Sequence, residues 1–292
     1  MVALWVIFAL SFAFFHALVA VFDKIVLKNK SIGPVSFATL RYGLNALFSL
    51  VIVSLFFTFS MPSEDILFSI LLLSLVYVGA GFFYFIPLKM GDVSQLVPLR
   101  EAITVLFSFV LATILLLEKI SVLDFVGTLV IIFGSYILLT DGKLIAPKLS
   151  KPMAFNGILG LLLAIFGVFS KPLTLVIHPA MLNFYLYIIV FLFFLLGNSK
   201  MNYRNQMNTF GTIFNNRRLL VLSLGSSLSA AIGTLSLFYG LTLGQAAEVL
   251  PVSRVLPVFA VLISWIVLKE KSGMARLMGA LVTFVGVYLV AS

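Results

Sequence analysis

Apolar residues run along the chain in stretches of about 20, parted by short polar connections. At about 1.5 Å rise per residue, such a stretch crosses the hydrocarbon core of a bilayer as one helix. Ten stretches satisfy that ruler: residues 3–27, 35–58, 66–88, 94–117, 122–140, 155–176, 180–197, 218–241, 247–268 and 274–291. Their apolarity is continuous, whereas a membrane-spanning strand alternates apolar and polar positions. The pattern therefore predicts helices and excludes a barrel. Pro34, Pro62 and Pro179 fall in connections or first helical turns, where a missing N–H is tolerated. The first run, Val2–Val21, is too long for a signal-peptide core and has no basic segment before it, so it is read as the first span. Residues 200–216, rich in Asn, are expected to form a polar loop without a site.

The ninth stretch occurs twice. Phe85, Gly91 and Pro98 match Phe238, Gly244 and Pro251 at one constant offset. After a slip of one residue, Glu118-Lys119, Gly127, Gly134 and Tyr136 match Glu270-Lys271, Gly279, Gly286 and Tyr288. Upstream, Val21-Phe22-Asp23-Lys24 resembles Val168-Phe169-Ser170-Lys171, and Pro34 with Tyr42 resembles Pro179 with Tyr187. Ordered matches of Gly, Pro and charged residues over a long period mark an internal duplication. The chain divides into a first copy over 1–142, a basic linker over 143–152 that holds Pro147 and Pro152, and a second copy over 153–292. Five spans per copy is an odd number, so the second copy crosses the membrane upside down. Inverted repeats of this kind hold substrate near the midplane, between the halves. The fold class expected is all-α integral membrane, ten helices in a 5+5 arrangement. Gly127 and Gly134, like Gly279 and Gly286, lie seven apart on one helix face and predict close helix packing.

Composition narrows the class further. Hydrophobic residues make up 62% and charged residues 10%, with a mean hydropathy of +1.21. A soluble domain runs nearer half and a quarter. There are no cysteines, which removes disulfides and thiolate metal sites. The two His and the scattered carboxylates have no metal-ligand spacing, and no phosphate-cradling Gly loop is present. Catalysis and direct ATP drive are not expected, nor is a cofactor. The net charge of +9 is assigned to loops, not to nucleic-acid binding. Thirteen basic residues fall in the connections on one face: Lys28, Lys30, Lys89, Lys143, Lys148, Lys151, Lys200, Arg204, Arg217, Arg218, Lys269, Lys271 and Arg276. The other face, which carries both termini, has only Lys119. Basic loops stay cytoplasmic, so both termini are expected outside a plasma membrane. The partners expected are a small-molecule substrate and the bilayer, for a monomer or a homodimer.

Charge inside a span is costly and marks a cavity, a partner or a pathway. Lys24, Arg41, Arg100, Lys171 and Arg254 are the basic residues there; Asp23, Glu101 and Glu248 are the acidic ones; His16 sits mid-span. Lys24 is near a helix end and is read as snorkelling to the headgroups. Lys171, before Pro172, either snorkels or lines the cavity. Arg41, with Tyr42 and Asn45 nearby, is read as cavity-facing. The repeat alignment sets Glu101 opposite Arg254, at mirror positions across the interface. The pair is either a buried structural ion pair or a substrate site. In the second case Arg254 takes a carboxylate or phosphate through its planar fork, and Glu101 takes an ammonium or a proton. Arg100 and Glu248 can stand in for them. Tyr77, Tyr84 and Tyr239, with Ser226, Ser229 and Thr234, are candidate liners. Glu101, Glu248 and His16 are the candidate proton carriers.

The run Ala246-Ala247-Glu248-Val249-Leu250-Pro251, then Pro257-Val-Phe-Ala-Val, Lys269-Glu270, Gly279 and Gly286, resembles the EamA-like branch of the drug/metabolite transporter superfamily. The resemblance covers the whole chain. It implies a secondary transporter, with amino acids, other metabolites or toxic compounds as cargo in similar members and sugar phosphates or nucleotide sugars in relatives. It also implies a central cavity lined by the third, fourth, eighth and ninth helices, with the first, second, sixth and seventh rocking to alternate access. The first copy departs from the pattern, with Thr104-Val105 where the second has Pro257. Export of small amphoteric metabolites is the reading preferred here. The alternatives are exchange of phosphorylated sugars or nucleotide sugars, and a membrane scaffold or enzyme that transports nothing.

Overall fold

The computed structural model describes residues 3–90, 93–140, 150–268 and 274–292. All regular structure among them is helical. The elements are α1 (Leu4–Leu27), α2 (Pro34–Phe56), α3 (Glu64–Met90), α4 (Val93–Leu115), α5 (Val122–Thr140), α6 (Lys151–Val176), α7 (Pro179–Phe214), α8 (Arg217–Leu243), α9 (Ala246–Ser253), α10 (Leu256–Leu268) and α11 (Met274–Ala291). Eight of the described helices are long and apolar enough to cross a membrane. Pro34 and Pro179 open α2 and α7 as expected, and the Asn216 side chain caps α8 by accepting the Arg218 and Leu219 N–H groups.

Two expectations are corrected. The ninth stretch is not one helix but two, α9 and α10, parted at Arg254-Val255. Pro257 has no N–H to give to the Ser253 carbonyl, so the helical ladder is interrupted there. The chain closes the gap with shorter-range bonds, Arg254 N–H to Pro251 O (3.1 Å) and Val255 N–H to Val252 O (3.3 Å). Residues 200–214 are not a loop: α7 runs on through them. Asn is a poor helix former but no breaker, and no Pro interrupts the segment. Thr209 Oγ1 then accepts the Gly33 N–H (3.1 Å), which ties the end of α7 to the start of α2. The linker over 143–152 lies mostly outside the described residues, and α6 already begins at Lys151.

The packing pairs exchange when the repeats are exchanged. Helix α1 packs on α8 as α6 packs on α3; α4 packs on α6 as α9 and α10 pack on α1. Helices α2 and α7 pack on each other, and so do α5 and α11. Equivalent helices run antiparallel. Asn183 near the start of α7 donates to Ser49 near the end of α2 (3.1 Å), while Phe191 meets Gly43. On α5 and α11, a Cβ on Gly127 would lie 2.8 Å from the Gly286 carbonyl oxygen, and one on Gly134 would lie 2.9 Å from that of Gly279. Each glycine thus meets the mate of the other, as an inverted repeat requires. Only a missing side chain allows backbones this close.

The basic residues between α1 and α2 and at the end of α3 lie at one end of the bundle. Lys24 Nζ donates to Leu88 O (2.9 Å) and Lys89 Nζ to Ile32 O (2.6 Å). Lys24 was expected to snorkel; instead it holds the last turn of α3, whose carbonyls have no intrahelical partner. The second copy repeats the device. Lys171, the mate of Lys24, donates to Leu241 O, the mate of Leu88, in the last turn of α8.

Candidate functional site

A central cavity of about 60 Å³ lies where the two repeats meet. Its charged and hydrogen-bonding walls come from His16 on α1, Arg41 and Tyr42 on α2, Tyr77 and Tyr84 on α3, Arg100 and Glu101 on α4, Thr234 on α8, and Arg254 at the break between α9 and α10. Phe12, Leu159, Leu163, Phe166 and Leu256 supply apolar wall. The lining set differs from the four helices that family resemblance implies. Helices α1 and α6 contribute as much as α3, α2 adds Arg41 and Tyr42, and α8 gives one residue, Thr234. A void of this size is far below the roughly 300–1,000 Å³ of small-molecule pockets, so a metabolite enters only if the walls move.

Two buried charge networks flank the cavity. In the first, Arg41 Nε lies 3.1 Å from Asp23 Oδ2 and donates to Ser226 Oγ (3.1 Å). Ser226 Oγ donates in turn to Asp23 Oδ1 (2.5 Å), and Tyr84 OH to Asp23 Oδ2 (3.0 Å). Asp23 is fully buried, so each of its oxygens needs the partner it has. In the second, Arg100 donates from Nε to Glu101 Oε1 (2.6 Å), with Nη2 at the same distance. Arg254 Nη1 lies 3.7 Å from Glu101 Oε2, an ion pair without a hydrogen bond. The Tyr84 ring stands between the networks, 5.9 Å from Arg41 Cζ and 5.6 Å from Arg100 Cζ. Arg254 Cζ sits 5.0 Å over the Phe12 ring, a cation–π contact that holds the guanidinium without using its donors.

The sum is uneven. Three guanidiniums, Arg41, Arg100 and Arg254, face two carboxylates, Asp23 and Glu101. All five are at most 5% exposed. Arg254 Nε and Glu101 Oε2 are both buried without a hydrogen-bond partner. Buried polar atoms left in that condition need an explanation, and here both belong to residues that line the same void. The spare donor capacity of the cavity is therefore at Arg254.

On the far wall His16 Nε2 lies 3.3 Å from Thr234 Oγ1, which lies 2.7 Å from Tyr187 OH; Tyr187 also donates to Ala230 O (3.1 Å). Tyr42, Tyr77 and Tyr187 form an aromatic cluster, with ring centroids 6.0–6.4 Å apart. The Tyr77 ring is 4.5 Å from that of Phe166.

Of the residues singled out from sequence, Arg254, Glu101, Arg100, Arg41, Tyr77, Tyr84, His16 and Thr234 line the cavity. Ser226 lies behind Arg41 as the partner that fixes it. Four others lie elsewhere. Lys171 donates to Leu241 O and Gly244 O, so its ammonium is spent on the end of α8. Glu248 sits in the first turn of α9, about two turns from Arg254, among Asp124, Glu118 and Lys171. Tyr239 lies beside Phe8 and His178. Ser229 is buried outside the lining. Asp23, counted among the charges inside the spans, and Tyr42 carry no site role of their own in the sequence analysis. Asp23 was nonetheless legible, because a buried arginine needs an acidic partner, and few spans offer one.

The sequence pattern of the EamA-like transporter family matches residues 3–140 and 153–292, one repeat each. A protein of known crystal structure superposes over 99% of both chains, with a TM-score of 0.75 at 13% identity, which speaks to the fold alone. A 79-residue stretch is 29% identical to the uncharacterized protein MJ1333.1 of Methanocaldococcus jannaschii, over 27% of this chain; the match spans 58% of that relative's length. Helices long and apolar enough to cross a membrane, two repeats packed about a charged cavity, and a family match over both repeats lead to one assignment: the chain belongs to the EamA-like transporter family, within the drug/metabolite transporter superfamily.

Proposed function

We propose that the protein is a secondary transporter that exports small carboxylate-bearing metabolites, amino acids foremost, by alternating access through the central cavity. One observation carries the reading: the cavity buries one more guanidinium than carboxylate, and Arg254 is the one with donors to spare. Arg41 and Arg100 have close carboxylate partners of their own. A single excess positive charge matches a carboxylate better than a phosphate dianion, and the guanidinium fork donates to both carboxylate oxygens. Glu101 Oε2, released from Arg254, is then free for a substrate ammonium. The rings of Tyr42 and Tyr77 offer an ammonium further cation–π stabilisation.

Arg254→Lys and Arg254→Ala test the assignment. Lysine keeps the charge and loses the fork. Binding of the preferred amino acid should weaken by about 1.5–3 kcal/mol, the worth of a hydrogen bond to a charged group. If transport in proteoliposomes survives Arg254→Lys undiminished, Arg254 is structural. Counterflow decides the cargo: exchange of a sugar phosphate but of no amino acid would replace this reading with the phosphorylated-sugar one. An imposed pH gradient of either sign that leaves uptake unchanged would remove Glu101 and His16 as proton carriers. Both termini should face outward, given thirteen basic residues on the opposite face. A reporter fused after Ser292 that fluoresces only in the cytoplasm should stay dark.

A further inference from the structure

Arg254 reaches the cavity from the end of α9, and α9 cannot hold itself. Its eight residues span roughly 12 Å, a length at which isolated helices do not form. It is held from the other repeat. Glu118, in the turn between α4 and α5, accepts the Ala246 N–H at Oε1 (2.8 Å) and the Ala247 N–H at Oε2 (2.7 Å). Both oxygens go to donors that a helix start leaves open, and the carboxylate meets the positive end of the helix dipole. The turn that aims Glu118 is itself unusual. Leu117 has φ of 53°, in the left-handed region that a leucine rarely adopts, and its side chain is 82% exposed. Packing of that side chain does not impose the conformation; its consequence is the direction of Glu118. Strain kept in this way gathers at functional positions.

The entry to α9 is also gripped from within the second repeat. Lys171 Nζ donates to Leu241 O in the last turn of α8 and to Gly244 O (2.7 Å) in the turn that leads into α9. Asp124 and Glu248 complete the charged set around this corner. At its other end α9 is uncoupled from α10 by the break at Arg254-Val255. Along its length it forms wall: Leu250 packs on Gly167 of α6, where an added Cβ would lie 2.8 Å from Leu250 Cδ2. A short rigid helix, hinged at the cavity and clasped at the face, moves as one piece when the clasp opens.

We propose that Glu118 is a latch between the repeats. While its carboxylate holds α9, the cavity is closed toward the face that carries the α4–α5 turn, and Arg254 is held against Glu101. Release lets α9 swing about the break, which opens that face and carries Arg254 away from Glu101. The proposal rests on the reading that the cavity opens by turns to the two faces.

The chain has no cysteine, so a single Ala80→Cys in the cavity wall reports access without background. Its rate of modification by a small water-soluble thiol reagent is measured on purified protein, with Leu163→Cys as a second reporter. With Glu118 present the rate should be low. Glu118→Ala should raise it roughly 5- to 30-fold, the size of a lost helix cap. Glu118→Gln, which keeps one acceptor oxygen, should fall between. Gly134→Ala drives a methyl into the Gly279 carbonyl at the other end of α5, away from Asp124 and the corner, and serves as control; its rate should not rise. The latch is overturned if Glu118→Ala leaves labelling unchanged, or if Gly134→Ala raises it equally for an equal loss of Tm. The readout needs no substrate. Faster labelling in a protein that moves no metabolite would sink the transport reading and leave the latch standing.

Discussion

The two repeats are built alike where helices are held together and unlike where the cavity is charged. Lys24 and Lys171 perform the same task on equivalent carbonyls, Leu88 O and Leu241 O. Gly127 and Gly134 meet Gly286 and Gly279 reciprocally. The charges do not follow that symmetry. Asp23, Arg41, Arg100 and Glu101 all belong to the first repeat, and Arg254 alone to the second. The mate of Asp23 is Ser170, and the mate of Glu101 is Arg254. The helices that carry Glu101 and Arg254 differ accordingly. In α4 Thr104 supplies an N–H, and its hydroxyl also donates to Arg100 O (2.9 Å) and Gly160 O (3.1 Å), so the helix runs on. In the second repeat Pro257 stands at that position and the helix breaks. The two halves thus share one scaffold, but the first carries both cavity carboxylates on unbroken helices and the second carries a single arginine at a helix break.

The largest effect should come from the unequal half of this comparison. Among the described residues Glu101 is the only carboxylate beside both Arg100 and Arg254, so Glu101→Gln strands two guanidiniums and should cost about 3–5 kcal/mol of stability. Arg254→Gln leaves Glu101 paired with Arg100 and should cost far less. Adding Arg254→Gln to Glu101→Gln should then restore part of the loss, read as Tm in detergent. Equal losses for the two single variants would mean that the 3.7 Å contact, not the 2.6 Å one, holds Glu101. The symmetric half predicts equality instead. Gly127→Ala and Gly286→Ala each drive a methyl into the other's carbonyl and should each cost about 1–3 kcal/mol; a clear disparity would break the proposed equivalence of α5 and α11. Lys24→Met and Lys171→Met should each cost about 1 kcal/mol, within error of one another, because each removes a bond to a helix-end carbonyl. The smallest change in stability, and the sharpest functional one, is expected from Pro257→Thr. It copies Thr104, returns an N–H to Ser253 O and fuses α9 with α10. Tm should hold or rise slightly while transport falls at least about 10-fold as Arg254 loses its hinge. Normal transport with an unchanged Tm would show that the break is incidental.

Much of this was legible in the chain. Continuous apolar runs fixed where helices lie, since a bilayer offers unpaired backbone groups no partner. The duplication was readable from Gly, Pro and Glu-Lys pairs, because those residues carry backbone and corner geometry that apolar residues do not. The break at Arg254 was half visible in Pro251 and Pro257, yet hydropathy alone joined the stretch, because a Pro pair lowers apolarity very little. The continuation of α7 past Gly197 was missed for the opposite reason: polarity was read as a loop, though nothing there forbids helix.

Sequence by itself determined the helical membrane class, the twofold internal design and the set of charges that the spans contain. It could not say which of those charges meet, because partners such as Asp23 and Ser226 lie 203 positions apart and are joined only by α1 packing on α8. The tertiary structure decided that Lys171 and Glu248 leave the cavity, that Glu101 binds Arg100 more closely than its symmetry mate, and that Glu118 of one repeat clasps a helix of the other. The physical reason is range. Periodicity and propensity act within a few turns of one helix, whereas the balance of buried charge is settled only when all the walls of a cavity have been brought together.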